Sequence, residues 1–351
     1  MTPAVCHHRD VSGVSRGSSV RPRDKGVDAL RGFALISMYV AHTAPDNRLS
    51  AVLNLSEYLT YPLFAALVGA GAVLGAGRSF GATAVRGGVL VVLGLLLDHL
   101  DAQVIVVLVY LGLLTWIAYP LARCRTAVIA AVGAVALVAA PPVRDALLDT
   151  RTELYAHGHA TAARLLDYVA TGDEYQLLSV LGYAAAGMVV LRLVRSNVPA
   201  SRLLATGSAV LLVAGAYGVM VQSAAQMRPY EATWREHAFC LLLVLATLLL
   251  GLGLAPLLGV VTATLASLGR MALTLYVLQI CYLSLWAQLN PGVRDDRWSN
   301  TLLLTFGSVA LALAWPKLVR RGPFRRGPLE GVTELLVEAQ RGPRDREPVA
   351  V

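Results

Sequence analysis

Charged residues are scarce in this chain. Only 15% of its 351 residues are Asp, Glu, Lys or Arg, whereas 56% are hydrophobic, and the mean hydropathy is +0.61. A soluble domain carries about a quarter charged residues and mixes them with its apolar ones. Here the charges form short clusters between long apolar runs, and the longest polar stretch, 141–175, is too short for a core of its own. The composition therefore excludes an ordinary soluble domain and predicts a polytopic membrane protein.

Metal-binding and disulfide patterns are also missing. The four cysteines are Cys6, Cys124, Cys240 and Cys281. They form no C-x-x-C pair, and the sequence has no H-E-x-x-H motif. His157 and His159 have no third ligand nearby in the sequence, so they are weak evidence for a metal. We therefore predict no metal site and no disulfide framework.

Long apolar runs define the predicted architecture. A bilayer core requires roughly 20 apolar residues per helical crossing. Seven runs approach or exceed this length: 53–77, 103–121, 176–194, 203–222, 239–258, 271–289 and 301–319. Three shorter runs complete the set: 29–44, 85–97 and 126–140. The sequence predicts an all-α protein with about ten transmembrane helices, formed by residues 26–337.

Both ends of the chain are predicted to lie in the cytoplasm. The polar segments 1–25 and 338–351 are expected to be disordered cytoplasmic tails, and the first span is expected to act as an uncleaved anchor. With ten alternating spans, 21 of the 30 Lys and Arg residues fall on the cytoplasmic side, as the positive-inside rule requires. The net charge of +8 is then explained by anionic lipid of the inner leaflet, and no nucleic-acid partner is predicted.

Acids and histidines concentrate on the predicted outer side. Asp98, His99 and Asp101 follow the third span, where a carboxylate could orient the imidazole. Tyr175 and Tyr230 fall at outer interfaces, where aromatic residues either fix the depth of the protein or contribute to a sugar-binding surface. The alternative is that these residues form solvated helix ends.

The first span carries the most informative pattern. Arg31 and His42 are eleven residues apart, which is almost three turns of helix, so both side chains lie on one face. Asp28 lies one turn before Arg31 and can pair with it. The rise between Arg31 and His42 is roughly 16 Å, about half the thickness of the hydrocarbon core. One helix face therefore presents a guanidinium near the inner surface and an imidazole toward the outer half.

This arrangement suits acyl transfer across a membrane. An inner arginine can hold the phosphates of a cytoplasmic acyl-CoA, and a neutral histidine can act as general base on an acceptor hydroxyl or amine. The alternative is that Asp28 and Arg31 form an interfacial ion pair, with Arg31 extending toward water. A small-residue pattern in the second span, Gly71-x-x-x-Gly75, predicts close helix packing.

Three motifs carry a resemblance to known families. The Arg31–His42 spacing resembles the signature of the transmembrane acyltransferase superfamily. Residues 27–35 (VDALRGFAL), 267–279 (SLGRMALTLYVLQ) and 325–330 (RRGPLE) resemble, in matching order, the YeiB-like bacterial membrane proteins grouped as domain of unknown function 418. The resemblance covers about residues 24–338 and implies a shared fold in a bacterial cytoplasmic (plasma) membrane. That group is similar to the heparan-α-glucosaminide N-acetyltransferases, which move acetyl from cytoplasmic acetyl-CoA to a sugar amine on the far side.

The resemblance implies an O- or N-acyltransferase with His42 and Arg31 as catalytic residues. Arg31 and Arg270 are its expected contacts to the phosphates of acyl-CoA, which acts as a co-substrate and not as a permanently bound cofactor. The sequence departs from the family in two ways: many YeiB-like members carry Asn at the position of His42, and the segment 43–56 lacks the histidine that the sugar N-acetyltransferases carry after the first span.

The acceptor is expected on the outer side, as a glycan, lipid or small metabolite of the envelope. A homodimer is compatible with these expectations. Two other functions stay open, a transporter and a non-catalytic membrane protein. No repeat relates the two halves of the sequence, which argues against transport.

Overall fold

The computed structural model describes residues 24–45, 54–100, 102–225, 227–293 and 295–340. Within these ranges the protein is all-α, as predicted, with thirteen α-helices. They are α1 (Lys25–Thr43), α2 (Leu55–Leu74), α3 (Phe80–Leu97), α4 (Leu108–Leu121), α5 (Thr126–Ala156), α6 (Ala160–Leu166), α7 (Leu177–Val194), α8 (Ala200–Ala225), α9 (Trp234–Leu254), α10 (Gly259–Arg270), α11 (Ala272–Leu289), α12 (Trp298–Leu318) and α13 (Pro328–Gln340). A π-helical turn (Asp167–Thr171) follows α6, and a 3₁₀ turn (Pro323–Arg326) precedes α13. The greater part of both predicted tails lies outside the described residues.

Eight of the described helices are long and apolar enough to cross a membrane: α2, α3, α5, α7, α8, α9, α11 and α12. The chain is therefore a multi-pass membrane protein, which confirms the main prediction. Helix α4 is apolar but has only 14 residues, and α1 carries charged residues in its first two turns. Counting these two helices as crossings would give the ten spans expected, so that number and the placement of both ends in the cytoplasm stay predictions.

Two helices differ from the pattern expected from hydropathy. Helix α5 continues for 31 residues through Pro141 and Pro142 and ends at Ala156, well beyond its apolar run. Pro142 leaves the carbonyl oxygen of Val138 without its helical N–H donor, and Trp234 Nε1 donates to this oxygen at 2.8 Å instead. The helix therefore need not end at its prolines. Helix α10 occupies the connection between the predicted spans 239–258 and 271–289, and it packs against α1.

Glycines bring four of the helices into backbone contact. A methyl group added at Gly32 or Gly269, between α1 and α10, would lie 2.0 or 1.8 Å from a backbone carbonyl oxygen of the neighbouring helix. The same holds at Gly69 and Gly187, between α2 and α7, with distances of 2.0 and 1.9 Å. Only a hydrogen atom fits at these positions, so the helices approach as closely as small-residue interfaces in membranes allow. This contact fixes the position of α1, the helix that carries Arg31 and His42.

One partly buried carboxylate attaches the C-terminal helix to α11. Glu330 accepts hydrogen bonds from the backbone N–H groups of Leu273 (2.8 Å) and Thr274 (3.2 Å) and from the Thr274 hydroxyl (2.6 Å). Thr274 Oγ1 in turn accepts the backbone N–H of Leu329 at 3.2 Å. Burial raises the pKa of the Glu330 carboxyl above its ordinary value. Residues of the motif 325–330 thus contact residues in the first half of the motif 267–279 directly.

Candidate functional site

The ion pair expected near the start of α1 is present. Arg31 Nη1 lies 2.7 Å from Asp28 Oδ1, and Asp28 is almost completely buried. The pair faces other helices, because both residues line a cavity of about 290 Å³ between α1, α2, α3 and α4. Arg31 therefore points into the protein, not toward lipid.

Arginines dominate this cavity, which we call the arginine cavity. It is lined by Arg31, Arg78, Arg86 and Arg195, together with hydroxyl groups of Thr83, Thr115 and Tyr119. Among its described lining residues the carboxylates are those of Asp24 and Asp28. Asp24 caps α1 by accepting the N–H of Gly26 at 3.0 Å. The four guanidinium groups outnumber the two carboxylates, which already pair with Arg31 and cap α1. The cavity therefore carries an excess of positive charge, which favours a ligand with several anionic groups.

The small residues of α2 border the arginine cavity. A methyl group at Gly71 would lie 3.0 Å from Arg31 Nη2, and one at Gly75 would lie 3.0 Å from Arg78 Nη1. The pattern Gly71-x-x-x-Gly75 therefore leaves room for two guanidinium groups. The expected helix-packing role belongs instead to Gly69 on the same helix, which contacts the backbone of Ala184.

His42 lies at the other end of α1, in a small aromatic cavity. Its Nδ1 is 2.9 Å from Nε2 of Gln279, a fully buried residue of α11. The cavity has a volume of about 10 Å³, which is room for one water molecule at most. Four tyrosines line it together with His42: Tyr61, Tyr175, Tyr230 and Tyr276. We call this the tyrosine cavity.

The Gln279 amide determines which nitrogen of His42 carries the proton. With Nε2 of Gln279 donating, Nδ1 of His42 is the acceptor and its own Nε2 is protonated. The Gln279 oxygen Oε1 is buried and accepts no hydrogen bond within the described part of the chain. A half-turn of the amide brings Oε1 to Nδ1–H and leaves Nε2 of His42 as a base. One amide rotation thus separates the two tautomers.

Both cavities lie along the same seam between α1 and α2. Helix α2 contributes Thr60 and Phe64 to the tyrosine cavity and Val68, Ala72 and Gly75 to the arginine cavity. Phe64 and Val68 are one turn apart, so the cavities are separated by a rise of about 6 Å along α2. On α1, the fully buried Leu35 lies between Arg31 and His42. The two cavities are distinct but adjacent, and α1 presents one of its predicted functional residues to each.

Two tyrosines of the tyrosine cavity come from connecting segments. The ring centroid of Tyr61 is 5.2 Å from that of Tyr175 and 5.9 Å from that of Tyr230. Tyr230 has a left-handed backbone, with φ of 66°, a conformation that a non-glycine residue keeps only when its surroundings enforce it. The Glu236 carboxylate does so by accepting the backbone N–H groups of Tyr230 (2.7 Å) and Ala232 (2.6 Å).

Tyr175 is fixed from the other side, by the extension of α5. Arg151 donates two hydrogen bonds of 3.0 Å to Asp173 and lies 2.7 Å from Asp167. This double contact holds the segment that leads into Tyr175. The hydrogen bond from Arg151 also lowers the pKa of the Asp173 carboxyl below its ordinary value.

The remaining predicted site residues lie elsewhere. Asp98 and His99 are exposed at the end of α3, and His99 Nδ1 is 2.7 Å from the carbonyl oxygen of Leu95. Neither lines the arginine cavity or the tyrosine cavity, and Asp101 lies outside the described residues. Arg270 donates to Ser267 Oγ at 2.9 Å and lines a third cavity, apart from that of Arg31.

Sequence reasoning missed the tyrosine cavity as a unit. Tyr175 and Tyr230 were noted only as interfacial residues, while Tyr61 and Tyr276 gave no signal beyond ordinary apolar spans. The motif 267–279 did contain the relevant information. Its Tyr276 hydroxyl accepts the N–H of Val107 at 3.2 Å, and its Gln279 contacts His42.

Comparison with known proteins places the chain in a family. The model of the family described as "Heparan-alpha-glucosaminide N-acetyltransferase, catalytic" matches residues 23–218, more than half of the chain. The chain belongs to this acetyltransferase family. A second family model, "Protein of unknown function (DUF418)", matches residues 178–339. No curated protein and no solved structure matches the chain.

The expected resemblances to domain of unknown function 418 and to the heparan-α-glucosaminide N-acetyltransferases are therefore confirmed. The acetyltransferase match contains Arg31, His42 and every residue that lines the arginine cavity. The second match contains Tyr230, Tyr276 and Gln279, which complete the surroundings of His42. The family uses acetyl-CoA as its acetyl donor.

Proposed function

We propose that this acetyltransferase family member takes acetyl from acetyl-CoA at the arginine cavity and transfers it at His42 to an amine or hydroxyl of an acceptor on the opposite side. The observation that carries the proposal is the shared seam: α1 presents Arg31 to a polycationic cavity and His42 to an adjacent one. We place the protein in a bacterial cytoplasmic membrane with ten spans and both ends inside. The distribution of Lys and Arg along the sequence supports this orientation.

Binding of the donor would depend on the guanidinium groups. Coenzyme A carries several phosphate oxygens, and arginine forks pair with phosphate through two parallel hydrogen bonds. Arg31, Arg78, Arg86 and Arg195 surround a volume of about 290 Å³, in which these phosphates would displace water. The pantetheine arm would then extend along α1 and α2 past Leu35 toward His42. Since the two cavities are separate, this step requires the side chains of Leu35 and Phe64 to move.

Transfer would use His42 as general base. Its Nε2 removes a proton from the acceptor amine or hydroxyl while the acceptor attacks the thioester carbonyl carbon. The tetrahedral intermediate collapses with cleavage of the C–S bond, and the imidazolium returns the proton to the departing thiolate. Gln279 would orient the ring from Nδ1: once its amide has turned so that Oε1 accepts the Nδ1–H, Nε2 of His42 is the base. The surrounding tyrosines would exclude water from the reacting carbonyl.

The donor site can be tested by binding of acetyl-CoA to the purified protein in detergent. The informative variants are Arg86→Gln and Arg195→Gln, which line the arginine cavity, and the matched control is Arg202→Gln, an exposed arginine that does not line it. Loss of one charge-assisted hydrogen bond, worth about 1.5–3 kcal/mol, should raise Kd about 10- to 100-fold. Thermal shift against acetyl-CoA concentration measures Kd, because a ligand that prefers the native state stabilises it by mass action.

The control decides how the result is interpreted. Arg202→Gln should bind acetyl-CoA as the wild type does. Equal affinities for Arg86→Gln, Arg195→Gln and Arg202→Gln would contradict the assignment of the donor site to the arginine cavity.

A further inference from the structure

A third cavity collects positive charge that the proposed reaction does not use. It has a volume of about 290 Å³ and lies between the end of α10, the last turns of α12 and the 3₁₀ turn. Arg270, Arg325 and Arg326 line it beside Trp315. No carboxylate occurs among its described lining residues. Three guanidinium groups around an open volume attract an anion.

The arginines are held in place by the fold. Arg270 is oriented by its 2.9 Å hydrogen bond to Ser267 Oγ. Trp315 Nε1 donates to the carbonyl oxygen of Phe324 at 2.8 Å, which fixes the 3₁₀ turn against α12. Arg326 also lies 3.3 Å from Glu334 of α13, an exposed contact that offsets part of its charge. The cavity is therefore preformed on at least two of its sides.

Its surroundings are apolar and exposed, as lipid contact requires. Leu313 and Leu318 of α12 are 43% and 75% exposed. Helix α13 exposes Val332, Leu335 and Leu336, whose spacing places them on one helix face. A helix with such a face beside charged residues lies in the membrane interface. At that depth the cavity would open toward the phosphate groups of lipids.

We propose that the cavity formed by Arg270, Arg325 and Arg326 binds the phosphate of an anionic phospholipid. Arginines recognise phosphate through planar, paired hydrogen bonds, and basic pockets between membrane helices bind acidic headgroups. The acyl chains would lie along the exposed leucines of α12. Arg270, which the motif resemblance suggested as a contact to acyl-CoA, then serves the lipid and not the donor. This proposal is independent of the proposed acetyl transfer.

Native mass spectrometry of the detergent-purified protein tests the site. Phosphatidylglycerol serves as the anionic probe and phosphatidylcholine as the neutral one. The test variant is Arg325→Gln/Arg326→Gln. The control is Arg320→Gln/Arg321→Gln, which removes the same charge from neighbouring residues that do not line the cavity. We expect wild type and control to retain phosphatidylglycerol at least about 10-fold better than phosphatidylcholine, and the test variant to lose this preference.

Two further measurements distinguish a lipid phosphate from a free phosphate and allow for a double variant that fails to fold. An excess of inorganic phosphate or of acetyl-CoA should leave phosphatidylglycerol bound, and displacement by either would overturn the lipid assignment. The single variant Arg270→Gln should weaken retention in the same direction if the double variant does not fold. Retention equal to wild type in the cavity variants, or equal retention of both lipids by the wild type, would overturn the proposal.

Discussion

Substitution of Gly269 by Ala perturbs the contact that positions α1. The added methyl group would lie 1.8 Å from the backbone oxygen of Asp28, roughly 1.5 Å closer than van der Waals contact permits. Neither atom belongs to a flexible side chain, so α10 and α1 must separate by about that distance. Overpacking of this kind costs about 1–3 kcal/mol, and we expect the upper end because two backbones meet. Since Asp28 holds Arg31 at 2.7 Å, acetyl-CoA binding should weaken as well.

The assay is thermal unfolding in detergent, with acetyl-CoA titration on the same samples. Gly215→Ala is the matched control, because Gly215 is an exposed residue of α8 with nothing within 4 Å of the added methyl group. That change should leave stability equal or raise it by up to about 1 kcal/mol, since Ala favours helix over Gly. If Gly269→Ala proved as stable as Gly215→Ala, the reasoning from backbone contact would be refuted.

Three further predictions concern the proposed site and its supports. Gln279→Leu should lower kcat about 10- to 100-fold with little change in KM for acetyl-CoA, because His42 loses the group that orients its ring; steady-state kinetics would separate the two constants. Glu330→Ala should lower the free energy of unfolding by about 1–3 kcal/mol, because it leaves the partly buried N–H groups of Leu273 and Thr274 without their acceptor. Because the pKa of Glu330 is raised in the folded protein, the free energy of unfolding of the wild type should fall as pH rises from 4.5 through the folded pKa. Glu330→Gln does not titrate and should show no such fall when thermal unfolding is measured across this pH range. The pH dependence contributed by Asp173 has the opposite direction: because its pKa is lowered in the folded protein, it adds stability above pH 3.8 that is lost as pH falls through the folded pKa. Arg151→Ala should abolish this loss of stability at low pH in the same thermal scans. The effect should be less than about 1 kcal/mol, because the Asp173 carboxylate is largely exposed.

The part of the site that lies on one helix was predictable from the sequence. The period of an α-helix fixes which residues share a face, so Asp28, Arg31 and His42 could be placed together from spacing alone. The structure shows the Asp28–Arg31 pair and directs Arg31 and His42, the two residues predicted to be catalytic, into the protein. The membrane class was equally predictable, because it depends on the length and hydropathy of single segments.

Contacts between distant segments were not predictable in this way. Arg78, Arg86 and Arg195 were counted as ordinary inside charges, and nothing in their local sequence indicates that they converge on Arg31. Arg270 carried a motif but belongs to a different cavity, because close packing of α10 on α1 at Gly269 places its side chain toward α12. Such convergence depends on which helices pack together, and hydropathy does not contain that information.

The connecting segments were the least predictable part. Tyr175 and Tyr230 reach the tyrosine cavity only because Arg151 and Glu236 hold their segments in place. Glu236 is only four residues from Ala232, whose backbone N–H it accepts. The sequence nevertheless gives no sign that Tyr230 has a left-handed backbone, because glycine or asparagine is the residue that usually indicates this conformation.

The role of His42 in transfer of an acetyl group bound through the arginine cavity can be tested directly. Membranes containing the wild type or His42→Ala should be supplied with labelled acetyl-CoA on one side and a hexosamine as probe acceptor on the other. We expect His42→Ala to stay folded and to bind acetyl-CoA as the wild type does, although loss of the Gln279 contact lowers its unfolding temperature. Labelled product should fall about 100- to 10,000-fold, the range that general-base catalysis contributes. Product formation by His42→Ala at the wild-type rate would contradict the assignment of His42 as the general base.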